Sequence, residues 1–290
     1  MPSFSFLRAS VLVAALLATL STGIPIEERA VDVTGCAAST KYTPRPTSTK
    51  STITPTPTPT QPKPSATSTS SAAGAAPTGA IWQPKAGTPF QIVLHGAITD
   101  FSYNAPVYII DMVENSAATI EKLHSLNRKV ICYFSAGSYE NWRPDANKFA
   151  KSDYGKALDG WAGENWLNTK STNVRAIMTE RIKLAKSKGC DGVDPDNVDG
   201  YSNDTGFNMK QSDGVDYMRF LAGEAHKLGL SIGLKNAPDI AKSVLDVMQW
   251  EVNEQCLEFG ECSDFKLFID AGKPVFQIEV SDLGPAACRV

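Results

Sequence analysis

Three aspartates lie close together in the segment 194–199, which reads DPDNVD. Val193 and Pro195 alternate with Asp194 and Asp196, so at the end of a strand both of these carboxylates would point to the same side. A carboxylate that is partly removed from water and held among other charges has a pKa that its surroundings can tune. The pattern indicates a catalytic acid site, although the same residue types also favour a plain turn or a calcium-binding loop.

A metal site fits the sequence less well than catalysis does. The segment after Asp196 lacks the terminal bidentate glutamate at the distance that an EF-hand loop requires. The cysteines form no CxxC pair, and His95, His124 and His226 are scattered along the chain, which argues against zinc. We therefore expect neither a metal nor a cofactor.

A second acid occurs later in the chain, in the segment EVNEQC at 251–256. Glycoside hydrolysis uses one carboxyl group to attack or stabilise the sugar cation and another to protonate the leaving oxygen. One of the aspartates 194 and 196, together with Glu254, would fill these roles if the two groups faced each other across a sugar. Lys235 and Asn236 would bind hydroxyl groups or orient a carboxylate, and a lysine beside a carboxylate lowers its pKa and keeps it ionised.

Seven short apolar stretches alternate with helical patterns, and this alternation predicts a parallel sheet with crossover helices. The predicted strands cover 90–96, 107–111, 129–137, 190–196, 231–237, 250–256 and 273–280. The predicted helices cover 115–128, with Asn115 or Ser116 as the cap, 172–188, 212–228, with Ser212 as the cap, and 238–248. The segment 138–170 is predicted to be a long polar and aromatic loop.

Polar residues recur at the carboxyl ends of these predicted strands, which is where the active sites of β/α barrels lie. We therefore predict an α/β fold, a (β/α)8 TIM-like barrel. Only about ten residues separate the first two strands, too few for a full crossover helix. No eighth strand is recognisable, so the barrel is expected to be irregular or truncated at its C-terminal strand.

The chain divides into three parts of different composition. Residues 1–23 resemble a signal peptide, with a signal anchor as the alternative reading. Residues 24–80 comprise a short propeptide-like segment and a Ser/Thr/Pro-rich linker, which cannot form a core and is typical of a glycosylated stalk. Residues 81–290 form the predicted barrel domain. These features predict a secreted protein, extracellular or associated with the cell wall, with no membrane contact once the signal is removed.

The barrel domain is acidic. The chain has 28 basic and 31 acidic residues, and the first 80 positions hold six and three of these, which leaves 22 and 28 and a net charge of −6. This balance argues against nucleic acid as a partner and suits a neutral or cationic one. Cys132 and Cys190 would lie on neighbouring strands, and Cys256 and Cys262 would staple one loop, although pairing cannot be deduced from the sequence. Asn203 begins the one N-glycosylation sequon in this domain.

Four motifs in order resemble one enzyme family. They are YFSAGSYENWR at 133–143, GCDGVDPDNVDGY at 189–201, GLKNA at 233–237 and EVNEQC at 251–256. Together they resemble glycoside hydrolase family 114, the endo-α-1,4-polygalactosaminidases, over about residues 82–285. The resemblance implies a (β/α)8 barrel that hydrolyses α-1,4-linked galactosamine polymers by a retaining mechanism.

The resemblance also implies roles for individual residues. The aspartate of the fourth strand, Asp196, would be the nucleophile and the acid of the sixth strand, Glu254, the acid/base, with Asp194 a rival for either role. Deacetylated galactosamine is cationic, and acids at the rim would attract it. The residues expected to bind substrate are Asp111, Tyr133, Ser135, Glu140, Trp142, Asp194, Asn197, Asp199, Tyr201, Lys235 and Asn236. Among the aromatic residues, core packing is favoured for Tyr133, and stacking on a sugar for Trp142.

Two other functions remain open from the sequence. One is a noncatalytic polysaccharide-binding protein of the cell wall, and the other is a hydrolase of different specificity, such as an α-galactosidase. We expect the protein to be a monomer whose partner is a galactosamine-rich polysaccharide.

Overall fold

The structure is a computed structural model, and it describes residues 81–279. Seven parallel strands form its main sheet and neighbour one another in chain order. They are β1 (Phe90–Val93), β2 (Val107–Asp111), β3 (Lys129–Ser135), β7 (Gly192–Asp196), β8 (Ser231–Lys235), β9 (Trp250–Glu254) and β10 (Val275–Ile278). All seven predicted strands are confirmed, with ends shorter by a few residues in most cases.

Helices connect most of these strands, as the alternating pattern predicts. They are α1 (Ala117–Ser125), α2 (Thr172–Lys188), α3 (Gln211–Lys227), α4 (Pro238–Val244) and the short α5 (Cys256–Phe259) and α6 (Lys266–Asp270). Ser116 caps α1, as expected, because its side chain accepts from the Thr119 N–H. The predicted cap Ser212 is wrong: α3 begins directly after the cap Lys210, whose N–H donates to the Asp213 carboxylate.

Trp250 fills the interior of the sheet, where it is fully buried. It packs with Val107, Ile109 and Phe276 from neighbouring strands, in a cluster that contains no helix residue. Two glycines leave room for its indole, because a Cβ at position 192 would lie 2.5 Å from Trp250 Cη2 and one at position 233 would lie 1.9 Å from Nε1. Alternate residues of the strands therefore face a filled barrel interior, and the others face the helices.

The barrel is irregular, as the sequence predicts. Within residues 81–279, no backbone pairing joins the edge strands β1 and β10. Phe90 and Phe276 contact each other from these two strands, with ring centroids 4.9 Å apart. Seven parallel strands thus curve into a nearly closed barrel of the (β/α)8 type, and an aromatic contact lies at the point where an eighth strand would complete it.

The segment 138–170 is more than the loop that the sequence predicts. It contains a small antiparallel sheet of β4 (Ser138–Glu140), β5 (Tyr154–Ala157) and β6 (Glu164–Leu167), in the order β4-β6-β5. Tyr139 and Tyr154 stack with their ring centroids 4.3 Å apart. Because β4 follows β3 after two residues, this small sheet lies at the carboxyl end of the barrel strands.

Two disulfides form among the described residues, Cys132–Cys190 and Cys256–Cys262. The first joins β3 to the residues that precede β7, and the second closes the loop after β9. The predicted signal segment 1–23, the linker 24–80, Cys36 and Cys288 lie outside the described residues. No helix in the described range is both long enough and apolar enough to cross a membrane.

Candidate active site

Two acids from different strands meet on one lysine. Lys235, the last residue of β8, places its Nζ 3.0 Å from Asp196 Oδ1 and 2.9 Å from Glu254 Oε2. These two oxygens are therefore separated by no more than the sum of the distances, 5.9 Å. Asp196 ends β7 and Glu254 ends β9, so the barrel brings together residues that are 58 positions apart in the sequence.

The lysine lies below the two acids. The Lys235 side chain is 3 % exposed, whereas those of Asp196 and Glu254 are 16 % and 38 % exposed. A sugar at the rim of the barrel would therefore reach the carboxylates and not the ammonium group. Burial lowers the pKa of Lys235, but the charges of Asp196, Glu254 and Asp194 raise it by more, so the lysine stays protonated.

Asp196 is held as a carboxylate by three donors. Burial alone would raise its pKa, yet the charge and hydrogen bond of Lys235, the Tyr133 hydroxyl and the Asn197 N–H bring the pKa below its ordinary value. Tyr133 Oη donates to Asp196 Oδ2 at 2.8 Å, and the Asn197 N–H donates to Oδ1 at 2.8 Å. Core packing, the role favoured for Tyr133 from the sequence, is therefore incomplete, because its hydroxyl is part of the site.

Glu254 is fixed by the residue that follows Lys235. Asn236 Nδ2 donates to Glu254 Oε2 at 3.2 Å, and the Glu254 N–H donates to Asn236 Oδ1 at 2.9 Å. The amide thus holds both the backbone and the side chain of Glu254. An orienting role, one of the two expected for Asn236, matches these contacts.

The backbone adopts a left-handed conformation directly after each of the three ionic residues. Asn197, Asn236 and Gln255 have φ values of 59°, 51° and 60°, and they directly follow Asp196, Lys235 and Glu254. Ala237 continues the left-handed conformation after Asn236, with φ of 57°. Such conformations cost energy in residues other than glycine and occur preferentially at functional sites. The three strand ends therefore carry the strain expected of a site.

Asp194 lies deeper in the barrel than the site. It precedes Asp196 by two residues on the same face of β7 and is fully buried. Neither of its carboxyl oxygens has a hydrogen-bond partner among the described residues. Burial raises its pKa to about 7, against the opposing effect of Lys235. Asp194 points to the same side as Asp196, as predicted, but it does not reach the surface where a substrate would bind.

A second charged group lies beside the site, under the small sheet. Arg143 contacts Asp111 at 2.8 Å and Glu140 at 2.7 Å; both acids are buried, and the Arg143 side chain is 9 % exposed. Arg181 pairs with Asp145 through two hydrogen bonds of 2.8 Å. Asp111 and Glu140, both expected to bind an amino sugar, are thus already bound to a guanidinium.

Glu164 is a residue near the site that the sequence analysis missed. Ser138 Oγ donates to Glu164 Oε2 at 2.5 Å, and the same hydroxyl lies 2.6 Å from Ser135 Oγ. Asn197 Nδ2 donates to Ser135 Oγ at 3.0 Å and so joins this chain of hydrogen bonds to the residue after Asp196. Burial raises the pKa of Glu164 to about 7, and the charges of Glu140 and Asp196 act in the same direction.

The remaining expected residues occupy different surroundings. Trp142 is 52 % exposed, as a sugar-stacking residue requires. Tyr201 packs against α3, where a Cβ at Gly214 would lie 2.6 Å from its ring. Asp199 accepts a hydrogen bond from Asn203 Nδ2 at 3.1 Å. The structure therefore groups Tyr133, Ser135 and Asn197 with the two acids and places Tyr201 against a helix.

The local chain geometry explains how Asp196 is presented. The N–H groups of Ala136 and Gly137 donate to the Asp196 carbonyl at 2.9 and 3.0 Å. A Cβ at Gly137 would lie 1.6 Å from the Asn197 carbonyl oxygen, so only glycine fits there.

A grouping of Cys256, Cys262 and Glu279 has the spacing of metal ligands, but its two sulfurs form a disulfide and offer no thiolate.

The arrangement suits hydrolysis of a glycosidic bond. Retaining enzymes hold their two carboxyl groups ~5–5.5 Å apart, whereas inverting enzymes separate them by ~6.5–9.5 Å. The limit of 5.9 Å between Asp196 Oδ1 and Glu254 Oε2 falls below the inverting range. One acid is held ionised and the other is more exposed, as a nucleophile and an acid/base would be.

Comparisons with known proteins agree with this chemistry. The model of glycoside hydrolase family GH114 matches residues 71–287. A crystal structure of Ega3 from Aspergillus fumigatus in complex with galactosamine is 56 % identical, with a TM-score of 0.68, and the match covers 70 % of this chain and 80 % of that one. The glycoside hydrolase domain of PelA from Pseudomonas aeruginosa, at 12 % identity and a TM-score of 0.50, covers 64 % and 80 % and shares the fold. No curated protein matches the chain.

Proposed function

The chain belongs to glycoside hydrolase family GH114 and is a glycoside hydrolase, and from this premise we propose that it is an endo-α-1,4-polygalactosaminidase. The observation that carries the proposal is the pair of carboxylates within 5.9 Å on Lys235. The galactosamine bound to Ega3 supports the choice of substrate, because that protein is similar over 70 % of the chain.

The proposed reaction has two steps. Asp196 attacks the anomeric carbon of the sugar while Glu254 gives its proton to the departing glycosidic oxygen, which leaves a galactosaminyl ester on Asp196. Glu254, now ionised, takes a proton from water, and the resulting hydroxide displaces Asp196 from the anomeric carbon. The product has the anomeric configuration of the substrate, and both acids return to their starting states.

Lys235 is placed to serve both acids in turn. Before the first step the negative charge resides on Asp196, and after it Asp196 is a neutral ester and Glu254 carries the charge. Because Nζ lies 3.0 Å from one acid and 2.9 Å from the other, the ammonium group stabilises the charge in either location without moving far. A fixed cation between the two acids thus lowers the barrier to moving charge from one to the other.

The charges around the site suit a cationic sugar. Five acids lie at or directly beside the inner rim, namely Asp111, Glu140, Glu164, Asp196 and Glu254, with Asp194 below them, and the cations that contact them there are Arg143, Arg181 and Lys235. The excess of acids gives a negative potential that attracts a polymer of protonated galactosamine. A neutral galactoside would gain nothing from this field.

We also propose that the enzyme acts outside the cell. Two disulfides form among the described residues, and disulfides persist in oxidising compartments such as the extracellular space. The apolar segment 9–20 and the Ser/Thr/Pro-rich linker support this, as a signal and a stalk.

The proposed function is tested by product analysis on a deacetylated α-1,4-galactosamine polymer. We expect the wild-type protein to release a series of short oligosaccharides, detected by mass spectrometry and by new reducing ends. Asp196→Asn and Glu254→Gln should each lower the rate by ~10³-fold or more, because each removes a group that acts in the transition state. Binding without new reducing ends would identify a noncatalytic polysaccharide-binding protein, and preferred cleavage of neutral α-galactosides would identify a different hydrolase.

A further inference from the structure

We propose that Glu164 binds the ammonium group of the galactosamine unit at the cleavage site and thereby selects deacetylated substrate. This inference rests on the proposed function and adds the residue that recognises the amino group of the sugar. An ammonium group is best recognised by a carboxylate that has no cation of its own.

The other acids near the site are either paired with a cation or, in the case of Asp194, fully buried below the surface that a substrate can reach. Asp111 and Glu140 share Arg143, at 2.8 and 2.7 Å. Asp196 and Glu254 share Lys235 and are needed for the reaction itself. An ammonium group that paired with any of these four would have to compete with a buried cation.

Glu164 differs from these acids in its contacts. Its carboxylate accepts one hydrogen bond among the described residues, from Ser138 Oγ to Oε2 at 2.5 Å, and it forms no ion pair with a lysine or arginine in that range. Glu164 Oε1 accepts no hydrogen bond from the described residues. It is not one of the fully buried side-chain atoms that lack a partner, so it keeps some access to solvent. The residue is 6 % exposed, so its carboxylate is largely dehydrated and a charged partner would bind it strongly.

The position of Glu164 connects it to the reacting groups. Ser138 joins it to Ser135, and Asn197 Nδ2 lies 3.0 Å from Ser135 Oγ and 3.3 Å from Ser138 Oγ. The negative charge of Asp196 also contributes to the raised pKa of Glu164, which places the two acids in one electrostatic environment.

The raised pKa of about 7 agrees with this role. Burial raises it first, the charges of Glu140 and Asp196 raise it further, and the Ser138 hydrogen bond and the charge of Arg143 act against the rise. A bound ammonium group would add the cation that is missing and bring the pKa down. Binding of galactosamine near neutral pH should therefore release a proton from Glu164.

The test uses Glu164→Gln in the full chain, with Glu251→Gln as the matched control. Glu251 is also a buried glutamate that forms no ion pair in the described range, but it alternates with Trp250 and Val252 on β9 and so faces the helices. The probes are a deacetylated α-1,4-galactosamine oligomer and the same oligomer partly N-acetylated. We measure kcat/KM for both, together with the affinity for galactosamine in calorimetry with buffers of different ionisation heats.

We expect Glu164→Gln to lose ~10–100-fold in kcat/KM on the deacetylated oligomer, the range for one charge-assisted hydrogen bond, and much less on acetylated linkages. Its affinity for galactosamine should fall, and the proton release should vanish. Glu251→Gln should keep the wild-type ratio between substrates. Equal losses on both oligomers, or a wild-type ratio and proton release in Glu164→Gln, would overturn the inference.

The proposed function can fail separately. If the wild-type protein cleaved neither oligomer, the polygalactosaminidase assignment would be wrong. The affinities of wild type and Glu164→Gln for galactosamine, measured by calorimetry, would still decide whether this carboxylate binds an amino sugar.

Discussion

At the scale of single residues, Asp194 and Asp196 show how strongly hydrogen bonds change the pKa of a buried acid. It lies two residues from Asp196 on the same face of β7, yet the pKa of Asp196 is lowered and that of Asp194 is raised to about 7. The difference comes from hydrogen bonds, because Asp196 accepts them from Tyr133, Lys235 and Asn197, whereas Asp194 accepts none from the described residues. One acid is therefore ionised at neutral pH and the other is partly protonated.

The raised pKa of Asp194 predicts a pH-dependent penalty on stability. The pKa of Asp194 is 3.8 in the unfolded chain and about 7 in the folded one. Between pH 3.8 and pH 7, the folded state therefore holds a proton on Asp194 that the unfolded state has lost. The free energy of unfolding should fall by ~2–4 kcal/mol on this account as the pH rises from 4 to 7, and then level off. Asp194→Asn should lack this fall, as measured by urea unfolding at pH 4, 5.5 and 7.

The exposed Asp159, replaced by asparagine, serves as the control for this series and should follow the wild type at every pH. The absolute stability of Asp194→Asn is not the readout, because a buried amide introduces its own unpaired donors. A constant difference between Asp194→Asn and wild type from pH 4 to pH 7 would show that Asp194 does not hold a proton in the folded protein.

The sequence predicted the site residues on the strands better than those on the small sheet. Asp196 and Glu254 follow apolar runs, and the carboxyl ends of parallel strands must share one rim. Glu164 was missed because β4, β5 and β6 have three or four residues each, and such short runs show no clear alternation. The Tyr133 hydroxyl bond was missed for a different reason: it depends on the register between β3 and β7, which pairs Tyr133 with Asp194.

At the scale of elements, β7, β8 and β9 position the site because a single indole fixes their spacing. Trp250 on β9 lies across Gly192 on β7 and Gly233 on β8, with no space for a side chain at either position. Lys235 follows Gly233 by two residues on the same face, and Asp196 follows Gly192 by four. The packing below the site therefore sets the distances within it.

This packing predicts a large difference between two glycine substitutions. Gly233→Ala places a Cβ 1.9 Å from Trp250 Nε1 and should lower the free energy of unfolding by ~1–3 kcal/mol, since overpacked cores must shift or adopt strained rotamers. Gly223→Ala, within α3 and with no atom within 4 Å of the new Cβ, should raise it by ~0.5–1 kcal/mol. Urea unfolding of both variants measures these changes.

The two variants also differ in their expected effect on catalysis. Gly233→Ala should reduce kcat, because Lys235 would move with the strand, whereas Gly223→Ala should leave kcat unchanged. Equal stability and activity in both variants would mean that Trp250 does not constrain β8.

At the scale of the whole molecule, the order of the strands was predictable and the closure of the barrel was not. Seven apolar runs separated by crossover patterns imply a parallel sheet in chain order, which the structure confirms. Whether the edge strands meet depends on side chains such as Phe90 and Phe276, whose contact leaves no trace in local periodicity. The pairing of Cys132 with Cys190 was likewise open until the strands were in place.

Strands β3, β7, β8 and β9 supply the site, and the proposed mechanism requires that Asp196 be the nucleophile and Glu254 the acid/base. The most direct measurement is peptide mass spectrometry of the Glu254→Gln variant after incubation with an α-galactosaminyl fluoride, which needs no protonation to react. We predict one galactosaminyl group attached to the peptide that carries Asp196, because the nucleophile is intact and the base that would release the sugar is absent. An adduct on any other residue, or rapid release of a product with inverted configuration and no adduct, would contradict the assignment.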